Sequence, residues 1–120
     1  MAVIVLRNGF LFEHCNNFIL RELLDLMRDE LLPDDGEGLY EVDQAEWVTG
    51  LMLDNIEKPE VAERLEKVML RVAHAVVDGR LPLRSPRLQH PENRAMFVGS
   101  MRKLLKTMVH PVEGPDSPEK

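Results

Sequence analysis

A chain of 120 residues with 44% hydrophobic and 30% charged side chains has the size and balance of one globular domain. That composition excludes a collagen-like, mucin-like or wholly disordered protein. The net charge of −6 excludes a uniform coat for nucleic acid, and a single cysteine, Cys15, excludes an internal disulfide framework or a zinc ribbon.

The chain opens with a short apolar run, Ala2 to Leu6, without the basic flank and cleavage site of a secretory signal. No stretch approaches the roughly 18 apolar residues of a membrane span. The expectation is a cytoplasmic protein with no membrane contact. Asn8-Gly9 lies between two apolar strand-like runs, Val3–Arg7 and Phe10–Glu13. Asn-Gly tolerates positive φ at both centres of a type I′ turn, so these residues predict an N-terminal β-hairpin. A lone hairpin is marginal in water, so it must pack on helices or pair with another chain.

Asn16 or Asn17 caps a first predicted helix, whose stripe is Phe18, Leu20, Leu23, Leu24, Met27 and Leu31. Ile19 and Leu26 widen that stripe to a second flank. Pro33 ends it, and Pro33 to Gly38 reads as an acidic, turn-rich loop. Asp43-Gln44-Ala45-Glu46 has capping-box spacing, which predicts a second helix through Trp47, Val48, Leu51, Met52 and Ile56. Gly50 weakens that helix by about 1 kcal/mol.

Pro59 suits the first turn of a third helix, with Val61, Leu65, Val68, Val72 and Ala75 as its seam and Asp78-Gly79 as its end. Leu81 to Pro91 is a proline-punctuated connector expected to lie along the body. A fourth helix starts near Pro91, carries Phe97, Met101, Leu104 and Met108, and ends around His110. The expected architecture is a mainly helical α+β fold: an N-terminal β-hairpin packed on a bundle of about four helices. Residues 1–110 form the compact domain, and the Pro-rich acidic segment 111–120 buries too little to order and reads as a flexible tail.

Catalytic and metal patterns are weak. His14, His74, His90 and His110 are far apart, and His14 and Cys15 are adjacent, which points them in different directions on one element. Cys15 reads as an inert cysteine. Gly36-Glu37-Gly38 lacks the lysine and preceding strand of a phosphate loop. No cofactor or metal is expected, and the chain reads as non-enzymatic.

Charge distribution is more informative. Residues 1–60 hold 4 basic and 14 acidic side chains, a net −10; residues 61–110 hold 10 basic and 4 acidic, a net +6; the tail is −2. The acidic half points to a protein-binding surface of Asp34, Asp35, Glu37, Tyr40, Glu41, Asp43, Glu46 and Trp47, facing a partner with a basic surface. Tyr and Trp are the residue types that anchor interfaces. By analogy with small acidic inhibitors of nucleases or toxins, this predicts a regulatory or inhibitory protein.

The alternative is a DNA-binding regulator that sets Arg80, Arg84, Arg87, Arg94, Arg102, Lys103 and Lys106 against phosphates. Val77-Asp78-Gly79-Arg80-Leu81-Pro82-Leu83-Arg84 resembles the helix–Gly-Arg-Leu-Pro turn of excisionase and related winged-helix DNA-binding proteins. The resemblance covers eight residues and implies nucleic acid as a partner. A third reading has opposite charges meeting within the fold or across a homodimer, where they set orientation more than stability.

Overall fold

The computed structural model describes residues 2–7, 9, 11–31, 36–47 and 50–109. The expectations for Asn8, Asp34, Asp35, Val48 and residues 110–120 lie outside the described residues, as do those for the side chains of His14, Cys15, Asp43, Glu46 and Trp47.

The protein is a mainly helical α+β fold. Its elements run β1 (Ala2–Val5), β2 (Leu11–Cys15), α1 (Asn17–Leu31), α2 (Gly36–Ala45), β3 (Glu46–Trp47), β4 (Gly50–Met52), α3 (Pro59–Val77) and α4 (Pro91–Val109). Short 3-10 turns occupy Leu53–Asn55 and Pro86–Gln89.

The hairpin forms, with Val5 opposite Leu11 and Ile4 opposite Phe12, and the register slips between Ala2 and Ile4. Its connection is longer than a two-residue turn. The Gly9 N–H donates to the Leu6 carbonyl at 2.8 Å, so Gly9 ends a four-residue turn, and its φ of +86° requires a residue without Cβ strain. The hairpin's need for a partner is met within the chain: β1 pairs parallel with β4, and β4 antiparallel with β3, in the sheet order β2-β1-β4-β3. Alternation along β1 sends Ala2 and Ile4 into the core, where Phe12 and Leu51 join them, all at most 1% exposed.

The predicted second helix is displaced. The helix occupies Gly36–Ala45, starting inside the expected loop of Pro33 to Gly38 and ending where the predicted helix was to be capped, and β3 and β4 occupy the segment expected to be helical. Trp47, Val48, Leu51 and Met52 satisfy a helical stripe and two short strands equally well, and periodicity cannot separate these over so few residues. The open edge of β1 decides it, because backbone groups unpaired there would be left without partners. α2 in turn is held by Val42, fully buried, and by the acidic Glu37 in its first turn, where the helix dipole favours negative charge.

The other three helices follow their stripes. Ile19, Leu23, Leu24 and Met27 of α1 meet Leu65, Met69 and Val72 of α3, and Phe97, Met101 and Leu104 of α4 complete one continuous core. α3 is central, touching α1, α2 and α4. It ends on Gly79 at φ +72°, with the Arg80 N–H donating to the Ala75 carbonyl at 2.9 Å. Among the described residues no helix is long and apolar enough to cross a membrane.

Of the two candidate caps for α1, Asn16 takes the role: its Oδ1 accepts the Ile19 N–H at 2.9 Å. Asn16→Ala is expected to lower stability by about 1 kcal/mol, read as a drop in the urea midpoint at unchanged slope. An unaltered midpoint would remove the cap from the account.

Candidate functional site

The proposed acidic surface maps onto α2 and β3. Glu37, Tyr40, Glu41 and Asp43 lie on α2, and Glu46 and Trp47 follow at once on β3. Three and four residues is the spacing of one helix face, and Glu37, Tyr40 and Glu41 sit together on the side away from Val42. Tyr40 is 61% exposed, the most exposed of the large hydrophobic side chains among the described residues.

Glu37 is not a free charge. Its carboxylate accepts Lys58 Nζ at 2.8 Å through Oε2 and Arg64 Nη2 at 3.3 Å through Oε1. Opposite charges therefore do meet within the fold at this position. The hydrogen bond from Lys58, then that from Arg64, hold the Glu37 carboxyl below its ordinary value, and Glu37 holds the Lys58 ammonium above its own. The lowered Glu37 value favours folding above the ordinary carboxylate range, and this is lost as pH falls through the lowered value. The raised Lys58 value favours folding below the ordinary lysine range, and this is lost as pH rises through the raised value. In an NMR titration the Glu37 carboxyl should titrate below an unpaired glutamate, and Lys58→Ala should move it upward. A midpoint insensitive to Lys58→Ala would show that the pair does not persist in solution.

The basic residues are spread over the connector, its 3-10 turn and α4. Arg80, just past α3, pairs with Asp78 at 3.1 Å. Arg94, in the first turns of α4, donates from Nε to the Leu88 carbonyl at 2.9 Å and so ties the 3-10 turn to the helix. Arg84 lies in the connector and Arg87 in the 3-10 turn. Arg102, Lys103 and Lys106 are exposed on α4, with no carboxylate in ion-pair range among the described residues. Residues 80–85 run as irregular connector into the 3-10 turn, and no strand follows them among the described residues, where a winged-helix arrangement would place its wing.

Two clefts were not anticipated. One, of about 410 Å³, lies between α1 and the connector. Glu22, only 7% exposed, accepts the Ser85 hydroxyl at 2.8 Å there, with Asp25, Asp29 and Arg84 around it. A signal was present: Glu22 interrupts the apolar flank of Ile19 and Leu26, a placement that buries a carboxylate and demands a donor. The other cleft, of about 510 Å³, sits where β1 and β4 end. Leu6, Leu53, Ile56 and Met108 line it, and Arg7 closes one side by donating to Glu66 from its backbone N–H at 2.6 Å and from Nε at 3.3 Å. Nothing in the local pattern joins these residues, which come from four separate segments.

Among the described residues no three His, Cys, Asp or Glu side chains gather as a metal ion would need. No protein-family model, curated protein or solved structure matches this chain.

Proposed function

We propose that this is a small, non-enzymatic regulatory or inhibitory protein of the cytoplasm that acts by docking the outward face of α2 on a protein partner with a basic surface. The observation that carries this reading is Tyr40, 61% exposed on a helix face it shares with Glu37 and Glu41. A tyrosine offers a large, rigid contact area at low entropic cost and a hydroxyl that pairs when buried. Glu41 is the carboxylate beside it that would attract a cationic partner, since Glu37 is already held by Lys58 and Arg64. Lys58 and Arg64 fix the Glu37 side chain in place, which lowers the entropy lost on docking. Asp34, Asp35, Asp43, Glu46 and Trp47 extend the proposed surface along the chain.

The test is affinity capture from source-cell lysate, with and without nuclease. The captured protein should survive nuclease, and Tyr40→Ala plus Glu41→Lys should weaken it by about 2 kcal/mol or more, the scale of an interface anchor. Equal recovery by the variant would sink the assigned surface. The second reading, binding of nucleic acid, draws support from Arg102, Lys103 and Lys106, exposed together on α4. It calls for a salt-sensitive gel shift that Arg102→Ala plus Lys106→Ala abolishes. Light scattering separates both from a homodimer.

A further inference from the structure

We propose that Met96 is a site of sulfoxidation, at which hydrogen peroxide tightens the tie between α4 and the N-terminus of α1. The methionines of this chain are not equivalent. Met27, Met69 and Met101 are fully buried, Met52 and Met108 are half-buried, and Met96 alone among the described methionines is exposed, at 46%. Susceptibility to oxidation follows exposure, so a peroxide reaches Met96 first.

The Met96 sulfur also has a polar partner. Asn16 Nδ2 donates to Met96 Sδ at 3.6 Å, across 80 positions of sequence. The same asparagine holds the start of α1. Its Oδ1 accepts the Ile19 N–H at 2.9 Å, and its backbone carbonyl accepts the Leu20 N–H at 2.9 Å. Oδ1 is committed to the cap, which leaves Nδ2 as the donor that meets α4. A thioether is a weak acceptor, so in the reduced protein this contact holds the amide only loosely.

Oxidation changes that acceptor. The sulfur lone pair attacks one peroxide oxygen: the S–O bond forms, the O–O bond breaks, and the proton on the transferred oxygen passes to the departing hydroxide, which leaves as water. Sulfur gives up two electrons and the peroxide takes them. The product is polar, and the exposed end of the Met96 side chain can give way to seat its oxygen about 2.9 Å from Nδ2. Met96 stands outside the core, so the polar group disrupts no packing, as it would at the fully buried Met101. The Asn16 amide is then held from both ends, and the first turn of α1 opens less often.

The experiment treats the folded full chain with hydrogen peroxide. Fragment-ion mass spectrometry should find one added oxygen on Met96 while Met101, on the same tryptic peptide, is untouched. Hydrogen exchange of this product should show the Ile19 amide slowed about twofold or more, the scale of one net hydrogen bond, with the α3 amides unchanged. Asn16→Asp keeps a capping oxygen and lacks the N–H donor, so oxidation there should leave Ile19 exchange unslowed. Met96→Leu should show no response to peroxide at Ile19, which removes Cys15 as the source. Oxidation of Met27, Met69 or Met101 ahead of Met96 would overturn the proposal. So would Ile19 exchange that is unchanged or faster after oxidation, or slowing that persists in Asn16→Asp or Met96→Leu.

Discussion

Phe97→Ala is expected to cost about 3–5 kcal/mol of folding stability, the largest effect of any single substitution considered for this protein. Phe97 is fully buried on α4, in line with Met101 and Leu104, both also fully buried, and the three side chains join α4 to the common core. Truncation removes the ring's transfer energy and leaves a cavity that α3 and α4 can close only in part. Total stabilities of such domains are about 5–15 kcal/mol, so this one side chain carries a large share. Urea denaturation should show a lower midpoint at unchanged slope. The neighbouring Met96, 46% exposed, is the control, because Met96→Ala should stay within about 0.5 kcal/mol. Similar costs for the two variants would mean that α4 does not present the face described.

Gly50→Ala should cost about 1–3 kcal/mol, as overpacking does, although alanine is the better residue in most settings. A Cβ at position 50 would stand 2.9 Å from the Val3 carbonyl oxygen and 2.9 Å from Met52 Cε. The methionine end can swing aside. The carbonyl cannot, because Val3 and Gly50 are register partners in the β1–β4 pair and the oxygen moves only if the sheet opens. The loss should therefore be local. Hydrogen exchange at Ile4 and Val5 should accelerate while the α3 amides keep their protection. Wild-type exchange along β1 in Gly50→Ala would show that the strands are not so closely paired. In a helix Gly50 would be a defect of about 1 kcal/mol; in this sheet it is the residue that lets two strands meet.

The candidate surface was legible in part. Tyr40 and its acidic neighbours stand out by residue type alone, and the structure places Glu37, Tyr40 and Glu41 on one helix face. What residue type could not show is that Glu37 meets Lys58, 21 positions away, and Arg64, 27 positions away. A segment charge of −10 beside one of +6 permits such pairing without specifying any pair. The Glu22–Ser85 bond, across 63 positions, was hidden for the same reason: a buried carboxylate predicts a donor but not which one.

By itself the amino-acid sequence determined α1, α3 and α4, the prolines that open α3 and α4, and the presence of an N-terminal hairpin. These are short-range properties, set by apolar spacing repeated over four or five turns, by prolines that stop or start a helix, and by a glycine that accepts positive φ. Only the tertiary structure decided residues 36–56. There the apolar positions fit a helix or two short strands, and the local preferences differ by about 1 kcal/mol or less per residue. The choice went to the arrangement that pairs the open edge of β1 with β4 and buries Val42 and Leu51, because unpaired backbone groups and exposed apolar area cost more than a disfavoured local conformation. That choice also put Glu37, Tyr40 and Glu41 on a helix and Glu46 on a strand.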